Sequence, residues 1–124
     1  MEYVITKRAR VKMSEARNST GTIAKVKWIA LGTGGLDSDW NVRCPLSADV
    51  GLNNEIIRKE YSSVTKVSET SYKYSILLND TECIGAIISE AALIDEEGDV
   101  ISIICFLPKG KDETEAEYSI QDTY

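Results

Sequence analysis

The chain has 124 residues, enough for one domain with its own core, and its 43% hydrophobic and 27% charged residues are those of an ordinary globular protein. It has no histidine, and its three cysteines, Cys44, Cys83 and Cys105, make no C-x-x-C pair, which argues against Ser-His and Cys-His nucleophiles, zinc knuckles and a disulfide framework. The net charge of −6 is unevenly placed: residues 1–27 carry seven Lys/Arg against two acids and the remainder seven against eighteen, a balance that argues against nucleic acid as main partner.

The first seventeen residues lack the apolar stretch of a secretory signal, and no run approaches the roughly 18 apolar residues of a membrane helix. The expected location is therefore the cytoplasm in which the chain is made, with no membrane partner. After the apolar pair Val4 and Ile5, Thr6 is a fitting N-cap. Ile5, Ala9, Met13 and Ala16 then form a narrow helical stripe, with Arg8, Arg10, Lys12 and Arg17 pointing elsewhere and Asn18–Gly21 as the stop. A basic helix on an acidic body is either a solvated face or a docking face for a neighbouring copy or another protein.

A strand follows, with Ala24, Val26, Trp28 and Ala30 on one face and a second face that begins with Lys25 and Lys27 and ends with Ile29 and Leu31. Residues 32–51 are irregular, and a loop this long is usually functional or lies against something. Leu52–Val67 begins as a turn and reads as strand from Glu55 onward. In the next strand Tyr72, Tyr74, Ile76 and Leu78 share a face. Two apolar runs then flank "DEEGD", with Gly98 placed for a hairpin turn. "VISIICFL" is apolar on both faces, as an interior strand is, and residues 113–124 alternate weakly, as an edge strand does. The sum is one α+β domain over residues 1–124: an N-terminal helix packed on five or six mostly antiparallel strands, as a sheet or small β-sandwich.

Few segments carry chemistry. Gly32, Gly34 and Gly35 have neither the dinucleotide spacing nor the lysine of a P-loop, so no nucleotide or other cofactor is expected; the glycines are expected to supply φ > 0 in a tight turn. "DEEGD" is too short for an EF-hand and reads as a solvated hairpin tip. Glu90, among apolar neighbours, is either a catalytic acid with a second carboxylate or a structural group bonded to backbone or to an arginine such as Arg58; the structural reading is preferred. Alternation puts Trp28, Tyr72 and Tyr74 in a core or interface, and leaves Trp40, in the long loop, as the aromatic contact residue.

The order of four segments is more specific than any one of them: "TKRARVKMSEA", "IALGTGG", "PLSADVGLNNEIIRKE" and "IISEAALIDEEGDVISIICFLPKGKDETE". Together they resemble the N-terminal domain of phage tail-collar fibre proteins over nearly the whole chain. The resemblance implies a module that joins a fibre to the baseplate of a contractile tail, with other tail or baseplate proteins and further copies of itself as partners. It implies assembly in the cytoplasm of a bacterial host, then residence in a phage or phage-like particle. It also implies fold-maintaining roles for Gly32, Gly34 and Gly35, for Asn54, Glu55 and Arg58, and for Glu90, Leu93, Asp95 and Gly98. The sequence departs from that pattern in "GTGG", where a glycine-acid-glycine turn is usual, in Ala92, where a glycine is usual, and in having no shaft or receptor-binding tip. The alternatives are a small-ligand or carbohydrate module using the Gly32–Gly51 loop and Trp40, and an enzyme using Glu90.

Overall fold

The computed structural model describes residues 2–124. A five-stranded sheet has the order β1-β7-β6-β2-β3 and a three-stranded sheet the order β4-β5-β8. The strands are β1 (Glu2–Ile5), β2 (Val26–Gly32), β3 (Glu55–Glu60), β4 (Ser63–Ser68), β5 (Ser71–Leu78), β6 (Ile87–Asp95), β7 (Val100–Gly110) and β8 (Ala116–Thr123). Every pairing between them is antiparallel. The helix α1 (Lys7–Glu15) continues into one π-helical turn, Ala16–Thr20. The α+β class and the antiparallel sheets agree with the sequence expectation. The number of strands does not, since eight form rather than five or six.

The two additional strands have local causes. Val4 and Ile5, read as the lead-in to the helix, belong to β1, which pairs with β7 in the register Val4↔Ile103 and Ile5↔Ser102. The segment from Glu55 to Val67 breaks at Tyr61–Ser62, so β3 pairs with β2 and β4 crosses to the other sheet to pair with β5. Tyr61 packs edge-to-face on Tyr74 at 5.1 Å between ring centres, so the crossing is anchored in the core. The helix begins where predicted: the Thr6 hydroxyl accepts a hydrogen bond from the Ala9 N–H at 3.2 Å and donates to the Val100 carbonyl at 2.6 Å. Gly21, at φ 69°, ends the π turn.

The five-stranded sheet is buried on both faces. Ile29, Leu31, Ile88 and Leu93 meet Ile76, Leu78 and Ile120 of the smaller sheet, with Ala9 of the helix at the margin. On the opposite face Ala30, Ala92, Ile94, Ile103 and Cys105 are covered by Val42 and Leu52 of the long loop. This explains why "VISIICFL" is apolar throughout: β7 is an interior strand with a packed layer on each side. A bulge opposite Leu93 and Ile94 turns Ile101 to the sandwich side. The expected edge strand at the C-terminus is β8, whose outward Ser119 and Thr123 hydroxyls bond to Ser75 and Ser71 of β5. Among the described residues no helix is long and apolar enough to cross a membrane.

Candidate functional site

The loop between β2 and β3 is held on its sheet by one carboxylate. Glu90 lies on β6 with 0% exposure. Its Oε2 accepts the N–H groups of Gly34 and Asn54, each at 2.8 Å. Its Oε1 accepts the Asn53 N–H at 3.0 Å and the Arg43 guanidinium at 3.2 Å. A buried charge is tolerated when hydrogen-bonded and paired, and here both oxygens are used. Arg43 also reaches Asp49 at 3.4 Å and donates from Nε to the Gly34 carbonyl at 2.9 Å, so it fastens both ends of the loop. Glu90 is thus bonded to backbone and to an arginine, as the preferred reading has it, but the arginine is not Arg58. Arg58 sits on β3 and pairs with Glu55 at 2.9 Å on the surface. Sequence spacing had no way to find Arg43, which comes from an irregular segment folded over the sheet.

The same contact gives the glycines their reason, and it is not the expected one. Gly32, Gly34 and Gly35 do not take positive φ; the glycines that do are Gly21, Gly85 and Gly98. A Cβ on Gly32 would strike the Asn54 carbonyl and the Glu90 carboxylate, one on Gly34 would lie 2.8 Å from Glu90 Oε2, and one on Gly35 would run into the Ser89 carbonyl. The missing side chains let this backbone lie flat on β6 and point its amides at Glu90. Cys105, opposite Glu90 in the β6–β7 register, is a buried thiol that burial pushes up to about 11, with nearby Arg43 acting the other way. It stays protonated at neutral pH and serves as a small apolar group.

Above this anchor the loop forms a small ordered lobe. Leu36 bridges Val42, and Asp37 Oδ1 accepts the N–H groups of Asp39 at 2.9 Å and Asn41 at 3.0 Å. The turn holds Trp40 at φ 65°, a conformation a bulky residue rarely adopts, with 78% of its surface exposed. Leu46 and Val50 on the same loop are 63% and 86% exposed. The turn thus presents a tryptophan at positive φ and two further apolar side chains to solvent.

The basic helix resolves differently from expectation. Lys12 is tied into its own chain: its Nζ lies 2.6 Å from Asp95, 2.6 Å from Asp99 and 2.9 Å from Glu97, with 10% of the side chain exposed. Burial draws the Lys12 ammonium down, but its hydrogen bonds to the three carboxylates outweigh this and hold its pKa above the ordinary value. Arg8 joins the same hairpin through Asp99 at 3.2 Å. Arg10 and Arg17 are exposed. "DEEGD" is thus a seat for the helix as well as a turn. Asp95 organises it, accepting the N–H groups of Glu97 and Asp99 at 3.0 Å each, with Gly98 at φ 90° as predicted. Leu93 is fully buried and Asn54 donates to Thr33 at 2.6 Å.

A cleft of about 560 Å³ opens on the other face of the large sheet, between the helix and both sheets; its walls include Ala9, Met13, Val26, Tyr61, Tyr74 and Asp122. It does not involve Trp40 or the long loop. Nothing in the sequence pointed to it, because its walls come from segments far apart in the chain. Among the described residues no group of three or more Cys, Asp or Glu side chains is arranged as a metal site. Compared with known protein families, curated proteins and solved structures, the chain matches none.

Proposed function

We propose that this chain is a structural protein of a phage tail or phage-tail-like particle, and that it attaches a fibre or accessory component to the baseplate through protein–protein contacts. The observation that carries the reading is the convergence on Glu90. Gly34, Asn53 with Asn54, and Glu90 come from three of the segments that resemble tail-collar fibre domains, and they meet in one hydrogen-bonded cluster. For Gly34, Asn54 and Glu90 this supports the fold-maintaining roles the resemblance implies. The carboxylate that would have supplied catalysis is saturated by structure. The lobe this cluster anchors, with Trp40, Leu46 and Val50 outward, serves as the attachment surface. The protein acts without catalysis, in several copies, on partners that are other tail or baseplate proteins. It is assembled in the host cytoplasm and then resides in the particle.

The test is fractionation of tail particles from the bacterium that encodes the chain. Sedimented, nuclease-treated particles are analysed by quantitative mass spectrometry against the soluble fraction. The expected result is co-sedimentation in a fixed ratio to baseplate proteins. A chain found in the soluble fraction alone, while those proteins sediment, would overturn the reading.

A further inference from the structure

The cleft between helix and sandwich contains a buried carboxylate with one oxygen that the fold does not use. Asp122 on β8 is 9% exposed, and its Oδ1 has no hydrogen-bond partner. No Lys or Arg among the described residues forms an ion pair with it. The other buried carboxylates have their charge matched, Glu90 by Arg43 and Asp95 by Lys12. Asp122 has no cationic partner, although leaving a buried carboxylate oxygen without a donor is costly. The tyrosines Tyr61, Tyr74 and Tyr124 line the same cleft, together with an apolar wall that includes Ala9, Met13 and Ile101. Lys12, Arg17 and Lys25 also line the cleft; Lys12 is held by Asp95, Glu97 and Asp99, and none of the three forms an ion pair with Asp122.

We propose that this cleft is a binding site for an alkylammonium group, which places its cationic head on Asp122 Oδ1 among the tyrosines and its carbon chain along the Ala9, Met13 and Ile101 wall. The chemistry follows from the donor the site lacks. Oδ1 accepts a hydrogen bond, aromatic rings attract a cation, and the apolar wall receives methylenes. Burial raises the Asp122 carboxyl above its ordinary value, while a hydrogen bond from the Tyr124 hydroxyl acts the other way. The same head group is carried by a free amine and by a lysine side chain of another protein. The assignment is independent of the attachment role, since the cleft and the loop lobe lie on different faces of the large sheet.

The experiment is a two-dimensional amide NMR titration of the full chain with n-hexylammonium, n-hexanol and a capped tripeptide with a central lysine. Hexylammonium is expected to shift the amides of Ala9, Asp122 and Tyr124 saturably, with hexanol at least about tenfold weaker. Asp122→Asn is expected to weaken hexylammonium by about tenfold or more, and Ala16→Phe, which fills the cleft but keeps the carboxylate, to abolish it. Ala16→Phe decides the matter if the first variant does not fold. Tighter binding of the tripeptide assigns the site to a protein partner, and tighter binding of hexylammonium to a free amine; both support the proposal. Equal binding of hexanol, shifts confined to the acidic hairpin, no saturable shift, or unchanged binding by a folded variant would overturn it.

Discussion

Replacing Glu90 with Gln keeps the side-chain shape but removes the charge and turns one acceptor into a donor facing N–H groups. Arg43 is then left buried without its full partner. Glu90→Gln is expected to lower stability by about 3–5 kcal/mol, the range for breaking a buried ion pair from one side, measured as a shift in urea midpoint. A midpoint equal to wild type would mean the loop is held by its apolar contacts. At Gly35 the obstacle is steric, and Gly35→Ala is expected to cost about 1–3 kcal/mol, as overpacking does. Gly51, where a Cβ meets nothing within 4 Å, is the control, and Gly51→Ala is expected to be neutral or slightly stabilising. Asp122 has the opposite sign. Its folded pKa is raised, so its charged form is disfavoured by folding, and the penalty is present once the pH passes the carboxyl's unfolded value of about 3.9. Asp122→Asn is therefore expected to stabilise at pH 7 by about 1–2 kcal/mol and to make no difference below about pH 3.5. Destabilisation at pH 7 would show that the carboxylate's hydrogen bond from Tyr124 outweighs the cost of its burial.

At the scale of elements, the helix is secured by the hairpin as much as by its own apolar stripe. Ala9 is its one buried residue, too little to hold a helix on a sheet, and the Lys12 cluster supplies what the stripe lacks. Lys12→Met is expected to cost about 3 kcal/mol at pH 7, the lower end of the range for stranding buried charges. The sign with pH follows from Asp99, whose pKa is lowered first by the Lys12 hydrogen bond. A depressed carboxyl contributes stability above its unfolded value of about 3.9 and loses it as the pH falls through its folded value. The gap between wild type and Lys12→Met is thus expected to close as the pH falls below about 3.9; thermal melts across pH 2.5–7 measure it, and a constant gap would mean the lysine acts through packing. Elements were legible in the sequence where one local signal decided them: Thr6 as cap, Gly98 in its turn, the two-sided apolar run of β7. What escaped was set by partners far along the chain. Val4 and Ile5 read as the lead-in to a helix until β7 is beside them. Tyr61 breaks one apparent strand into two because the second sheet lies under it. Gly32, Gly34 and Gly35 were recognised as special, but for φ rather than for the carboxylate beneath them, which no spacing rule places there.

At the scale of the whole molecule, the charge split that suggested contact between copies is partly spent within one copy, where Lys12 and Arg8 meet the acidic hairpin. This moves the weight of the attachment reading from the helix to the loop lobe on the opposite face. There the fold holds Trp40 at φ 65° and leaves it 78% exposed. Such a residue weakens the fold it belongs to, so a role outside the chain is the economical explanation. The decisive variant is Trp40→Gly with Val50→Asp: glycine relieves the positive φ, Val50 is 86% exposed, and the pair is expected to melt at or above the wild-type temperature. Particles from cells carrying either form are sedimented and the chain is quantified in the pellet. Wild type is expected with the baseplate proteins in fixed ratio and the folded double variant in the supernatant. A double variant that sediments as wild type does, or a wild type that never sediments with them, would contradict attachment through the lobe.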